Sequence, residues 1–275
     1  VVHQVRIRVH DLRQRLDLNR PLHEQYLSWV GRLMRLDFGE SLVQNTPIGD
    51  EIVRRLPVTL ELAILTLLIS LALAIPSGII SAIRQDTWAD YLLRIVSVGG
   101  LAMPVFWTGS LLILVLVLFF RWMPAIGYIN FFESPWANLQ QMVLPALALG
   151  YFYAAIVSRM TRSQMLEVLR QDYVRTAWAK GLKERVVVLR HALKNAALPV
   201  ITISAFQFGN LLGGTVIVES LFALPGIGRA LVASIETRDF PMFQAMMILL
   251  AFWFLLINLI VDILYGWLDP RIRYG

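Results

Sequence analysis

The 275-residue chain has no cysteine, which excludes disulfides and thiolate metal sites. It is also short of charge. Only 16% of its residues are Asp, Glu, Lys or Arg, against roughly 25% in an ordinary soluble domain. No Gly-x-x-x-x-Gly-Lys-Ser/Thr occurs, so the chain offers no backbone cradle for nucleotide phosphates. Gly226-Ile-Gly228 is too short for one, and with Pro225 before it reads as a turn in an outer re-entrant segment. The four histidines, His3, His10, His23 and His191, all lie outside the long apolar runs. An intramembrane protease or a proton pump needs titratable groups at that depth. No catalytic, cofactor-binding or metal-binding residue is therefore expected.

What is present is apolar length. The charge-free runs Leu62–Ile83, Ile95–Phe120, Leu139–Ser158, Asn195–Val218 and Phe240–Val261 last 20 to 26 residues each. At ~1.5 Å per residue, about 20 residues of helix cross a hydrocarbon layer ~30 Å thick. Strands in lipid would need a closed barrel with alternating apolar and polar residues, which these runs lack. The expected fold is all-α, with five transmembrane helices. Pro104 and Pro145 punctuate two of them. Gly209 and Gly213 form a GxxxG in the fourth, which reads as close helix packing or as a flexible, cavity-lining stretch.

Charge sets the orientation. An isoelectric point near 9.9 suggests nucleic acid, but the basic residues are clustered. Between Arg159 and Lys194 stand nine Lys or Arg against Glu167, Asp172 and Glu184, an excess equal to the net +6 of the whole chain. Basic loops stay in the cytoplasm, so this patch faces inward, and nucleic acid is not an expected partner. Parity then places residues 84–94, with Arg84 and Arg94, and the tail 269–275, with Arg271 and Arg273, on the same side. Arg121, Arg229 and Arg238 fall outside. The same parity puts residues 1–60 outside, although they carry nine Arg and seven acids. A sixth, N-terminal membrane helix preceding Val1 is expected on that ground.

The patch is helix-like. Advancing about 100° per residue from Val174 gathers Val174, Ala177, Trp178, Gly181 and Leu182 in an arc of about 140°, opposite Arg175, Thr176, Lys180 and Lys183. Asp172 is placed to cap the helix start. Gly181 marks a close approach or a turn, and a second amphipathic helix, Glu184–Lys194, follows. Such a pair either lies on the bilayer surface or docks its apolar face in another protein.

At this stretch, DYVRTAWAKGL…RHALKNAALPV closely resembles the cytoplasmic signature of ABC-importer permeases of the oligopeptide, dipeptide, glutathione and nickel group. DFGESL, RLPVTLELA, RMTRSQMLEVL, FALPGIGRALVASIETRDFP, NLIVDILYGWLDPRIRYG and LDLNRPLHEQYLSWV are similar to further family segments, spread over nearly the whole chain. The wider superfamily has Glu-Ala-Ala where this chain has Arg175-Thr176-Ala177, and Trp178 stands where the subgroup often has Arg.

The resemblance implies the type I importer permease (MetI-like) fold: an extracytoplasmic segment 1–60, a membrane domain 61–268 with its cytoplasmic coupling loop 159–194, and a cytoplasmic tail 269–275. It implies residence in the inner (plasma) membrane and no cofactor of its own, ATP being bound by a partner subunit. The partners implied are ATP-binding subunits, a second homologous permease, an extracytoplasmic solute-binding protein and the bilayer. Asp172, Tyr173, Arg175, Thr176, Ala177, Trp178, Lys180, Gly181 and Leu182 would form the coupling helix. Gln207 and Asn210, polar residues within a span, either line a peptide path or bind helices together. The function so implied is ATP-driven import of di- or oligopeptides, with nickel or glutathione as alternative cargo. A secondary transporter or channel should show intramembrane charges or an inverted repeat. A membrane enzyme should show a nucleophile and base. Neither pattern is visible.

Overall fold

The computed structural model describes residues 19–123 and 127–268. An amphipathic helix α1 (Leu22–Met34) buries none of its residues. The membrane body follows as α2 (Ile48–Ile83), α3 (Trp88–Ala102), α4 (Val105–Phe120) and α5 (Pro135–Leu169). A short helix α6 (Asp172–Ala179) leads through a turn at Glu184–Val186 and a π-helical stretch Val187–Ala192 into α7 (Leu193–Leu221). Helix α8 (Ile227–Glu236) and a last long helix α9 (Phe240–Leu268) complete it. The tail at 269–275 and residues 1–18 of the outer segment lie outside the described residues.

The four stretches Ile48–Ile83, Pro135–Leu169, Glu184–Leu211 and Phe240–Ile263 are each long and apolar enough to cross a membrane as one helix. The fifth predicted run is not one straight helix. It is α3 and α4, bent by 112° at Met103-Pro104. Pro104 has no N–H to donate, and a proline disfavours helical backbone in the residue before it. Met103 accordingly leaves the helix at φ −94°, ψ 126°.

Packing fixes the topology. Val58 and Leu62 of α2 pack with Met142, Ala146 and Leu149 of α5, while Ala82 packs with Met165. Residue numbers rise together, so α2 and α5 run parallel. Parallel neighbours require a crossing between them, and the bent α3–α4 pair supplies it. Helix α7 returns antiparallel to α5, with Val188, Ala192 and Ala196 beside Met165, and Leu211 and Val218 beside the cluster of Val58 and Leu149. In α9, Met246 meets Ile48, and Ile257 meets Ala63. The ends therefore alternate as parity requires, with 84–94 and 170–192 at one face and 127–134 and 222–239 at the other.

The helices outrun the charge-free stretches that announce them. Helix α2 starts at Ile48, so the expected domain boundary at residue 60 falls inside a continuous helix. At ~1.5 Å per residue its 36 residues reach about 54 Å, well beyond the hydrocarbon layer. Glu61, just before the first charge-free run, is half-buried and accepts a 2.6 Å hydrogen bond from Tyr128 Oη. Burial first, then that bond, raises the Tyr128 phenol above its ordinary pKa. The GxxxG splits its roles: Gly209 lies against the Asn258 side chain of α9, while Gly213 faces open space. On α9, Phe252, Leu255, Leu259 and Ile263 are exposed, at no cost where the neighbour is a lipid tail.

Candidate functional site

Helix α6 projects from the inner face, and its apolar side is already occupied. Val174 and Ala177 are buried with Val187 and pack against Val168 and Leu169 of this same chain. Tyr173 Oη accepts a 2.7 Å hydrogen bond from Asn195 Nδ2 at the start of α7. The helix is thus fastened along one side to both flanking membrane helices. The expected single apolar arc divides: Val174 and Ala177 face the body, while Trp178 is 45% and Leu182 36% exposed. Tyr173, Arg175, Thr176 and Lys180 are exposed as well. Of the nine residues assigned to coupling, only Ala177 faces inward.

The ends of α6 correct one local expectation and decide another. Asp172 is the first helical residue, not the cap. Gln171 holds the cap position and makes no side-chain cap bond. The Asp172 carboxylate is left beside Arg175 at 3.5 Å, fully exposed. Of the two readings of Gly181, a close approach or a turn, the structure shows the turn. The Gly181 φ is +75°, and a Cβ added there would meet nothing within 4 Å. Gly181 N donates to Trp178 O at 2.9 Å, and Leu182 N to Ala177 O at 3.4 Å. This pair of bonds is the glycine-terminated Schellman turn. The second amphipathic helix expected at Glu184–Lys194 runs through its π-helical stretch straight into α7, with Val187, Val188 and Ala192 buried and Arg190 and Lys194 exposed.

On α7, Phe206, Gly213, Ile217 and Ser220 are exposed, and Asn210 is partly so. Successive spacings of seven, four and three from Phe206, with Asn210 between, keep them on one stripe at about 100° per residue. Gln207 lies about 60° beyond Asn210, off the edge of this stripe, and is 8% exposed, within the chain's own packing.

Two polar clusters were missed by sequence reasoning. At the inner end, Asp90 is 0% exposed and receives Arg162 Nε at 2.9 Å and Nη2 at 2.8 Å, with Ser81 Oγ and Asp86 N also donating. This ties α2, α3 and α5 together. From sequence, Asp90 reads as an ordinary acid in a first helical turn. At the outer end, Glu219 is 0% exposed in α7. It accepts from Thr59 Oγ1 of α2 at 2.7 Å and from Arg229 N at 2.9 Å, with Gly228 N and Thr215 as further donors. A carboxylate thus sits on the open N–H groups at the start of α8. Gly226 is needed there, because a Cβ at that position would overlap the carboxylate. The available signal was an acid just after a charge-free run, followed by Pro225-Gly226-Ile-Gly228. Beside it, buried Asp239 accepts from Ser41 Oγ at 2.5 Å and Leu42 N at 3.2 Å, pinning the 41–47 loop to the start of α9.

The arrangement provides a projecting helix rigidly joined to α5 and α7, a hairpin at the opposite face locked by buried carboxylates, and a partly polar stripe on α7. Residues 74–274 match the model of the family described as binding-protein-dependent transport system inner membrane component. The dipeptide transport system permease protein DppB of Alkalihalophilus pseudofirmus is 40% identical over 96% of this chain and 85% of its own length. A putative peptide transport system permease protein of Brucella abortus (strain 2308) is 41% identical over 97% and 85%. The glutathione transport system permease protein GsiC of Escherichia coli (strain K12) is 42% identical over 96% and 83%. Among solved structures, an inward-facing methionine ABC transporter, MetNI, aligns with a TM-score of 0.66 at 14% identity, covering 80% of this chain and 97% of that one.

Proposed function

The chain belongs to the family of binding-protein-dependent transport system inner membrane components, and from that premise we propose that it is the permease subunit of an ATP-driven importer of di- or oligopeptides. Relatives named for dipeptide, peptide and glutathione transport support the cargo class. The chain has no phosphate-cradling motif, so ATP is bound and hydrolysed on separate subunits. A second, homologous permease completes the path, and the extracytoplasmic binding protein delivers cargo at the α8 end.

The observation that carries the mechanism is the fastening of α6. A displacement at Trp178 or Arg175 reaches α5 and α7 through Val174, Ala177 and the Tyr173–Asn195 bond, with no slack loop between. Closure of the ATPase subunits on ATP then moves two membrane helices as one lever. This gives the differential contact needed to bias inward- and outward-open states. Asn210 lines the path on the exposed stripe of α7, and Gln207, buried beside that stripe, holds α7 in place.

Purification tests the reading. The native complex should contain this chain, a second permease and ATPase subunits, with hydrolysis stimulated by loaded binding protein. Substrate carried by this chain alone, without nucleotide, would contradict it. Trp178→Ala should weaken ATPase docking about 30-fold, from the loss of ~2 kcal/mol at an aromatic anchor, while leaving membrane insertion intact. Unchanged stimulated hydrolysis in that variant would remove α6 from the contact.

Gly181 separates backbone from space. A side chain at φ +75° costs ~1–2 kcal/mol unless it is Gly, Asn or Asp. Gly181→Val should therefore lose coupled transport while Gly181→Asn keeps most of it. Equal loss in both would mean that a partner groove, rather than the turn, demands glycine.

A further inference from the structure

Arg162, held from behind by buried Asp90, lies in the wall of a cleft of about 540 Å³ between the inner halves of α3 and α5. Its remaining charged lining is Arg94, Arg159 and Arg170 against the single carboxylate of Glu167. None of these three arginines is in an ion pair among the described residues. Arg94 is instead stacked 5.7 Å from the Tyr91 ring. Ser97, Ser158 and Ser163 add hydroxyl groups to the wall.

The depth of the cleft is informative. Helix α5 starts at the outer face with Pro135, and Arg159 comes 24 residues later, about 36 Å along at ~1.5 Å per residue. That is just past a hydrocarbon layer of ~30 Å, at the level of the inner headgroups. The flank of α3 beside the cleft is apolar and open: Leu92 is 51%, Ile95 69% and Val98 57% exposed. Trp88 and Tyr91, both exposed, stand at its inner end, where aromatic side chains mark the membrane–water boundary.

Unpaired guanidinium groups at headgroup depth beside an open apolar helix match one chemistry. Arginine forks bind phosphate oxygens in pairs, and basic pockets between membrane helices on the cytoplasmic side take anionic headgroups. We propose that this cleft binds the phosphate of an anionic phospholipid of the inner leaflet, with the acyl chains lying along Leu92, Ile95 and Val98. The site rests on the membrane orientation of the transport reading, but none of its lining residues lies in α6 or on the exposed stripe of α7, so loss of lipid binding and loss of transport are read separately.

The test uses the intact transporter complex, purified and delipidated in detergent. Thermal unfolding and native mass spectrometry are followed with phosphatidylglycerol, phosphatidylcholine or inorganic phosphate added. Phosphatidylglycerol should raise the unfolding midpoint and remain bound. The Arg94→Gln/Arg159→Gln variant should bind it about tenfold more weakly or worse. Arg170→Gln, at the exposed end of α5, gives a smaller loss and serves if the double variant does not assemble. Equal retention of phosphatidylcholine, or equal phosphatidylglycerol binding by the wild type and both variants, overturns the proposal. Protection by inorganic phosphate equal to that by phosphatidylglycerol, and lost in the variants, keeps the phosphate chemistry but overturns the lipid as its source.

Discussion

Membranes expressing Glu219→Ala should contain little folded permease. The substitution removes the acceptor for Thr59 Oγ1, Arg229 N and Gly228 N at a site with no exposure. A buried donor left without a partner costs ~1–3 kcal/mol, and breaking a buried charged contact by deleting one side costs ~3–5 kcal/mol. The loss is a large share of the ~5–15 kcal/mol that holds an ordinary domain together. It falls on α8, whose first turn is held by this carboxylate and by the 2.9 Å bond from Ile227 N to Thr59 Oγ1. Glu219→Gln keeps one acceptor oxygen but turns an NH₂ toward donors, so it should fall between wild type and alanine. Gly226→Ala should be harmful for a different reason, because its methyl displaces the carboxylate. Ser220→Ala, on the exposed side of the same turn, serves as the control. Protein level in the membrane and the thermal midpoint of the purified complex read the series. A Glu219→Ala variant with wild-type level and midpoint would show that the outer hairpin does not depend on this contact.

Single substitutions of Asp90 or Arg162 should be nearly as severe, and the double substitution less severe than their sum. Asp90→Ala leaves a guanidinium that is 22% exposed with no carboxylate, and Arg162→Met leaves a fully buried carboxylate with only Ser81 and Asp86 N as donors. Each should cost ~3–5 kcal/mol, whereas replacing both charges by apolar groups is often near neutral for a buried pair. The cycle should therefore return a coupling of ~2 kcal/mol or more. Additive losses would mean that each residue acts separately and that α2, α3 and α5 are held at the inner face by something else.

These two contacts also mark the limit of sequence reading. Apolar runs gave the position of the membrane-crossing segments, because partition between water and lipid is a property of each residue along a short window. Helix ends were shorter in that reading than in the structure: Glu51, Arg54 and Arg55 continue α2 outward, and Arg159, Arg162 and Glu167 continue α5 inward. Charge stops a hydrophobic run but does not stop a helix. Pro104 was visible as a breaker, yet the 112° turn depends on how α4 packs against α5 and α7. In α6 the apolar arc was visible, but half of it is spent on Val168, Leu169 and Val187, so the surface left for a partner is narrower and more polar than the wheel suggests.

The amino-acid sequence alone determined the solvent of this protein, the alternation of its loops between two faces, and the family to which its motifs belong. All three follow from local composition or from residues in fixed order. Only the tertiary structure decided that Asp90 meets Arg162, 72 positions away, and that Glu219 meets Thr59, 160 positions away. A charged side chain in a string carries no record of its partner. Whether it is a solvated ornament or a buried tie depends on which helices stand within hydrogen-bond reach, and that distance is set by packing.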